Sequence, residues 1–365
     1  MDFNLTGEQE LLRDGLTKFL AARYDLAESR SAAKTGAGWQ PEIWRAFAEE
    51  LGILGATFPE DIGGIGGGPT ELMVISEALG HALVIEPYVG TVVLAGGLLA
   101  RADTDAARTL LERITEGTAI VALAQGPGIT ATADGAGWTL TGEAAVVADA
   151  PLATHLLIAA DTDRGVGLFL TEFDAATPPA GLTVHAYRTI DDRRAADLEL
   201  DGLTVSTRLF EDATAELARA RDEAAAAVCA EAVGGMRKVL ADTVEYCKQR
   251  QQFGQPIGSF QVLQHRMVDM SIEVEQAVAA VYLAILNLGA DAPEDRARAV
   301  SAAKATVGRA ARFVGQNAVQ LHGGMGMTEE LAIGHYFKRL TAVQYEFGST
   351  DYHLSRYATI TRPGA

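Results

Sequence analysis

Twice along this chain of 365 residues the spacing of the apolar residues changes period. In the first third they recur three and four positions apart, as one buried face of an α-helix requires. Leu12, Leu16, Phe19 and Leu20 share a side of "LTGEQELLRDGLTKFLAARY". Near residue 118 the pattern shortens to brief β-rich runs, "AIVALAQ", "WTLTGEAAVVA", "HLLIAADTDRGVGLFLTEF" and "AADLELDGLTV". Asp134-Gly135 and Asp201-Gly202 punctuate them as turns. Near residue 211 the helical period returns in long segments, ending with "TEELAIGHYFKRLTAVQYE". A chain that switches in that order is expected to be mainly α with a central β domain. The expected division is a helical domain over 1–117, an all-β domain over 118–210 and a helical bundle over 211–365.

Local signals agree. Thr6 with Gln9 is a capping box, and Pro41 with Gly52 brackets "PEIWRAFAEEL" by the usual proline-first, glycine-last asymmetry. "GGIGGG", Gly63 to Gly68, lacks the Lys-Ser/Thr of a phosphate-binding loop and reads as a flexible connector.

Charge excludes some partners. Net charge is −18, and an acidic surface repels nucleic-acid phosphates and anionic lipid. Any anion site must therefore be built locally. No apolar run has the length of a membrane span, and "MDFNLTGEQELL" is no secretory leader, so a soluble cytoplasmic protein without membrane insertion is expected. Cys229 and Cys247 are expected to be buried, inert thiols. The histidines show no metal-ligand spacing, so no metal site is expected, and His322 reads as a loop residue. "DDRR", Asp191 to Arg194, reads as a solvated turn.

Two stretches carry chemistry. "KQRQQFGQPIGSFQ", Lys248 to Gln261, joins a cation (Arg250), amides (Gln251, Gln252), an aromatic (Phe253) and a turn that starts a new helix. Arginine pairs bidentately with phosphate, a helix N-terminus favours an anion, and phenylalanine lies against a planar ring. "QLHGGMGMT", Gln320 to Thr328, has adjacent glycines that permit close backbone approach to a ligand. Together they suggest a phosphate-bearing cofactor with a ring at one end.

With "PEDIGGIGGG", "RQQFGQPIGSFQ" and "QLHGGMGMT" in this order, the chain resembles the acyl-CoA dehydrogenase family over nearly its whole length. The resemblance implies an N-terminal helical domain, a central β-barrel or sandwich and a C-terminal four-helix bundle. It implies FAD as cofactor, an acyl-CoA substrate desaturated between Cα and Cβ, and an electron-transfer protein as acceptor. It assigns the ADP half of a neighbouring subunit's FAD to Arg250, Gln251, Gln252, Phe253, Phe260, Gln261, Gln320, Leu321, His322, Gly323 and Gly324. Gly348 and Ser349 join that set.

The chain departs from the family at three places. Where Thr-Glu-Pro should hold its own flavin it reads "ALAQGPGITA", and where Trp-x-Thr should follow, Val146 and Ala148 stand. Where Tyr-Glu-Gly-Thr-x-Gln should carry the base, aligning on Gly348 puts Phe347 in the carboxylate's place, Ser349 for Thr and Asp351 for Gln. Glu346 lies one residue early, a rotation of about 100° on a helix. The Phe347 backbone N–H survives as a donor to a thioester oxygen. Some relatives carry the base on the first bundle helix, which here reads Ala224 and Ala225, with Glu223 beside them and Glu231 about two turns on. Glu231, among small apolar residues, is either a base with a raised pKa or a structural carboxylate bonded to a neighbouring helix.

Lost self-binding residues beside retained neighbour-binding ones imply the small, base-lacking subunit of a heteromeric (α2β2) acyl-CoA dehydrogenase, paired with a homologous base-bearing subunit. A self-sufficient homo-oligomer with Glu346, Glu223 or Glu231 as displaced base, and a non-catalytic scaffold on the same fold, stand as alternatives.

Overall fold

The computed structural model describes residues 4–35, 37–135 and 137–362. Helices come first, then strands, then helices again, and the described residues gather into two compact units.

One unit is helical, formed by the described residues within Met1–Leu26, Pro69–Val84 and Ala225–Ala365. It holds α1 (Gly7–Arg23), α4 (Pro69–Ala82), most of α7 (Thr214–Gln249), α8 (Gln261–Asn287), α9 (Pro293–His322), α10 (Ala332–Ala342) and α11 (Thr350–Thr361). The capping box forms as the sequence requires, with Thr6 and Gln9 bonding each other's backbone N–H. α9 is the spine: it packs along α8 and receives α10 and α11. Its alanine, glycine and valine positions, among them Ala303, Val307, Ala310 and Val314, are buried. Small side chains on that stripe let neighbouring helices close in on it. α4 and α7 approach more closely still. A Cβ on Gly80 would lie 1.9 Å from the Glu231 carbonyl oxygen, and one on Gly234 equally near that of Glu77. Only glycine fits either position, and the crossing fixes where Glu231 sits.

The other unit holds Ala27–Gly68 and Ile85–Ala224, less residues 36 and 136. Its helices are α2 (Leu26–Lys34), α3 (Pro41–Glu49), α5 (Gly96–Arg101) and α6 (Asp105–Thr115). Its strands are β1 (Val121–Ala124), β2 (Thr130–Asp134), β3 (Gly137–Ala148), β4 (His155–Thr162), β5 (Gly165–Glu172), β6 (Leu182–Arg188), β7 (Arg194–Val205) and β8 (Thr207–Phe210). They form one sheet in the order β6-β7-β3-β2-β4-β5-β8, with β1 parallel to β4. The antiparallel β3–β7 register slips between Ala144 and Val147, leaving a bulge that carries Val146.

Two local expectations change. The "GGIGGG" loop is not a slack connector: Gly64, Ile65, Gly66 and Gly67 donate backbone hydrogen bonds to Pro59, Gly55, Phe58 and Ala56. The "DDRR" turn is not solvated. Asp191 and Asp192 are each 4% exposed, and the buried Arg30 donates to the Asp191 carbonyl at 3.1 Å. α7 stops at Gln249, and the residues after it turn into a hairpin of β9 (Gln251–Gln252) and β10 (Gln255–Pro256). No helix of the described residues is long and apolar enough to cross a membrane.

Candidate functional site

The helical unit carries two corners built around an arginine. At the first, α10 ends at Ala342 and its last turn presents Arg339, which is buried. Arg339 Nε donates to Glu231 Oε1 at 2.7 Å and Nη2 donates to Glu231 Oε2 at 3.0 Å. The same guanidinium donates through Nη2 to Glu346 Oε2 at 2.9 Å and through Nη1 to Glu346 Oε1. Two of the three acids singled out in the sequence therefore share one cation. Glu231 bonds Arg339 of the neighbouring α10. Glu346 turns toward α10.

Lys304 on α9 completes this corner. Its ammonium is fully buried and donates to the carbonyls of Val343 at 2.8 Å, Gln344 at 3.4 Å and Gly348 at 2.9 Å. Carbonyls just past a helix end lack intrahelical partners, and a cation there also suits the helix dipole. With three acceptors for three N–H donors, Lys304 is satisfied as the ammonium, although burial lowers its pKa. Its charge and that of Arg339 balance Glu231 and Glu346. Beside it the Cys229 thiol is pushed up to about 12 by burial.

The turn so held is unusual in its backbone. Phe347 has φ +55° and Gly348 φ +113°. A Cβ at Gly348 would meet Tyr352 Cδ1 at 2.5 Å, so glycine is required. His353 Nε2 lies 3.0 Å from the Phe347 carbonyl oxygen. That acceptor places the imidazole hydrogen on Nε2 and leaves Nδ1 to accept from Ser301 Oγ at 3.4 Å. The Phe347 N–H has no hydrogen-bond partner among the described residues.

The third acid is engaged too, in the other unit. Glu223 accepts from Arg101 Nη1 at 3.0 and 3.2 Å and from Arg219 Nε at 3.0 Å. The neighbouring Ala224 and Ala225 are buried. Both of its oxygens thus face guanidiniums.

The second corner lies where α7 and α9 end. Tyr246 stacks on His322 with ring centroids 4.2 Å apart, and His322 Nδ1 donates to the Ala318 carbonyl at 2.8 Å. His322 is thus the buried last residue of α9 and not a loop residue. This stacking brings the two chemistry-bearing stretches of the sequence to one end of the bundle. The β9–β10 hairpin turns through Phe253 at φ +55° and Gly254 at φ +78°. Positive φ at both central residues is what a tight hairpin needs, but a large aromatic rarely supplies it. Phe253 is 90% exposed, with Phe260 meeting it edge-on at 6.0 Å between centroids. Strained, exposed residues of this kind cluster where ligands bind.

Around Phe253 the polar groups are open. The Arg250 side chain is exposed and has no hydrogen bond or ion pair among the described residues. Gln251, Gln252, Gln261 and Gln320 are exposed, and no side chain caps the start of α8. Around a Cβ built on Gly323 or Gly324 nothing lies within 4 Å. Leu321 is buried beneath them, and Ser349, at the other corner, caps α11 by accepting from Tyr352 N–H.

The stretches of the β unit where the family's flavin-holding residues should stand lack comparable openness. Gly126 packs its Cα against β3, so that a Cβ there would lie 2.2 Å from the Glu143 carbonyl oxygen. Val146 sits in the left-handed region at φ +55°, and its N–H donates to Asp197 Oδ1 at 2.8 Å. Val146 and Ala148 add no side-chain donor, and Gln125 is the one amide in the preceding loop.

Arg339 and Lys304 were missed in the sequence. Arg339 precedes Glu346 by seven residues, two helical turns, and Lys304 falls on the apolar stripe of α9. A lone cation on a buried stripe was the available signal.

These features are those of a known class. Residues 6–118 match the acyl-CoA dehydrogenase N-terminal domain and residues 215–360 the acyl-CoA dehydrogenase C-terminal domain. The chain belongs to the acyl-CoA dehydrogenase family, a family of oxidoreductases. Acyl-CoA dehydrogenase IpdE2 of Mycolicibacterium smegmatis is 32% identical over 335 residues, covering 92% of this chain and 93% of that protein. The ChsE4-ChsE5 complex from Mycobacterium tuberculosis superposes with a TM-score of 0.90 at 28% identity, over 100% of both chains. A variant of the Tcur3481-Tcur3483 steroid ACAD gives 0.88 at 29% identity over 97% of each chain.

Proposed function

We propose that this chain is the base-lacking subunit of a heteromeric, FAD-dependent acyl-CoA dehydrogenase and completes the FAD site of a homologous catalytic partner. One observation carries the reading. Each acid that could serve as a base is held by arginine, whereas Arg250 and the Gly323–Gly324 backbone are open. The chemistry of the open corner fits the ADP half of FAD: an unpaired cation and an uncapped helix start for phosphate, and aromatic edges for a ring. The β unit does not fit the flavin half, because Val146 and Ala148 offer no side-chain donor and Asp197 already holds the Val146 N–H.

FAD, when bound, supplies the hydride acceptor for Cα–Cβ desaturation of an acyl-CoA. This chain's part is to bind and orient: Arg250 neutralises phosphate, Phe253 and Phe260 flank the ring, and the two glycines admit close backbone approach. The proton is taken on the partner. Two of the similar structures, one named a steroid ACAD, are two-component assemblies, which supports an α2β2 arrangement and a steroid-derived acyl group. An electron-transfer protein as acceptor and a cytoplasmic setting complete the proposal.

The test is co-expression with a homologous dehydrogenase chain, measuring flavin absorbance and acyl-CoA oxidation for each chain alone and for the mixture. The expected result is flavin and turnover only in the mixture. Full turnover by this chain alone, abolished by Glu346→Gln, would overturn the proposal.

A further inference from the structure

A groove of about 510 Å³ opens in the β-containing unit between α6 and strands β4, β5, β7 and β8. It has no part in either arginine corner. Arg113 and His155 meet in its wall, with Arg113 Nη1 3.2 Å from His155 Nε2.

The hydrogen-bond network fixes the imidazole's state. Thr154 Oγ1 gives its hydrogen to the Ile120 carbonyl at 3.0 Å and accepts the Ile120 N–H at 3.1 Å. Arg113 can only donate, so His155 Nε2 is the acceptor of their contact, and Nδ1, 2.8 Å from Thr154 Oγ1, carries the hydrogen. The ring is neutral, and both burial and the Arg113 charge lower its pKa, against a weaker opposing pull from Glu172.

Arg113 is therefore a half-buried cation whose one side-chain hydrogen bond among the described residues is to a neutral ring. It makes no ion pair among the described residues, although Glu172 lines the same groove. Elsewhere in this acidic chain the half-buried Arg101 and the buried Arg339 face carboxylates. The hydroxyls of Thr109, Ser206 and Thr207 also line the groove and have no hydrogen-bond partner among the described residues. A guanidinium fork with unused N–H donors, ringed by hydroxyls, is matched by an anion with several oxygens.

We propose that this groove binds a small oxyanion, a carboxylate or a phosphate, on Arg113 and the hydroxyls of Thr109, Ser206 and Thr207. Glu172 on the same wall disfavours highly charged anions such as polyphosphates and favours a small, hydroxylated ligand. An anion on Arg113 offsets the charge that opposes protonation of His155, so binding takes up a proton as pH falls toward the ordinary histidine range.

The test is calorimetric titration of the assembled protein with L-malate and, separately, inorganic phosphate, at ionic strength held constant with sodium chloride. Saturable binding of at least one probe is expected, and the two arms tell carboxylate from phosphate. Arg113→Met should weaken it roughly ten- to hundredfold, the usual worth of hydrogen bonds to a charged group. Arg113→Lys should retain part of it. The malate heat near pH 6 should vary with the buffer's ionisation enthalpy, reporting proton uptake. Ser206→Ala with Thr207→Val gives a smaller loss and keeps the question open to measurement should Arg113→Met fold poorly. Absence of saturable heat with both probes would overturn the proposal, as would wild-type affinity in folded Arg113→Met or Arg113→Lys, or in the hydroxyl double variant.

Discussion

The two arginine corners of the helical unit use the same residue type to opposite ends. Arg339, its side chain 6% exposed, spends its guanidinium on Glu231 and Glu346. Arg250, one residue beyond α7, is exposed and spends its side chain on nothing among the described residues. A buried charge must be matched inside the protein, whereas an exposed one is matched by water until a ligand replaces the water. The first corner is closed chemistry, its donors and acceptors satisfied apart from the Phe347 N–H. The second keeps an exposed guanidinium that no described residue engages. A base must be free to take a proton, and a cofactor site must have donors to spare, so the proposed roles of the two corners rest on this contrast.

The largest expected effect breaks the open corner. Arg250→Ala, in this chain of a co-expressed complex, should weaken FAD retention roughly ten- to hundredfold by loss of a charged donor. Flavin per complex after gel filtration measures it. Undiminished flavin would mean that the openness of this corner has no cofactor behind it. Next comes the closed corner. Arg339→Met leaves Glu231 buried and facing Glu346 with no cation between them, and should destabilise the chain by about 3–5 kcal/mol in urea unfolding. The double variant Arg339→Met, Glu231→Met should recover much of that loss, since it removes the stranded charge. Glu346→Gln should do less, about 1 kcal/mol, because Glu346 is partly solvated, and should leave turnover of the complex unchanged. A collapse of turnover with stability intact would make Glu346 the base after all.

The order of helices and strands was legible because it rests on periodicity, which is local. The open corner was legible for a related reason. Arg250 to Gln261 is nearly contiguous, and the glycines after His322 advertise close approach. The closed corner was not. Glu231, Lys304 and Arg339 are far apart in sequence and meet only through the packing of α7, α9 and α10. Register alone turned Glu346 away from the base position but could not say toward what. The buried "DDRR" turn misled for the same reason: its cover, Arg30 on α2, lies 161 residues away from Asp191. Charge runs read as solvated unless a distant partner is known.

The smallest effect separates the corners by their dynamics. Each has a buried free cysteine: Cys229 beside Lys304 at the closed one, and Cys247 under the hairpin at the open one. Burial raises both thiols, and for Cys229 it outweighs the pull of the Lys304 charge, leaving no thiolate near neutral pH. Reaction therefore needs opening of the surrounding structure, and the rate reports how often that happens. The cover over Cys247 is thin. Gly258 packs on its backbone, where an added Cβ would lie 2.9 Å from the Cys247 carbonyl oxygen, and the hairpin beyond is exposed. Cys229 is buried in the bundle interior beside Lys304. In iodoacetamide labelling of the native chain, followed by peptide mass spectrometry, Cys247 should be modified well before Cys229. Bound FAD should slow Cys247 and leave Cys229 unchanged. Equal rates at both cysteines, unaffected by flavin, would show that the two corners open together and that the contrast between them is one of composition alone.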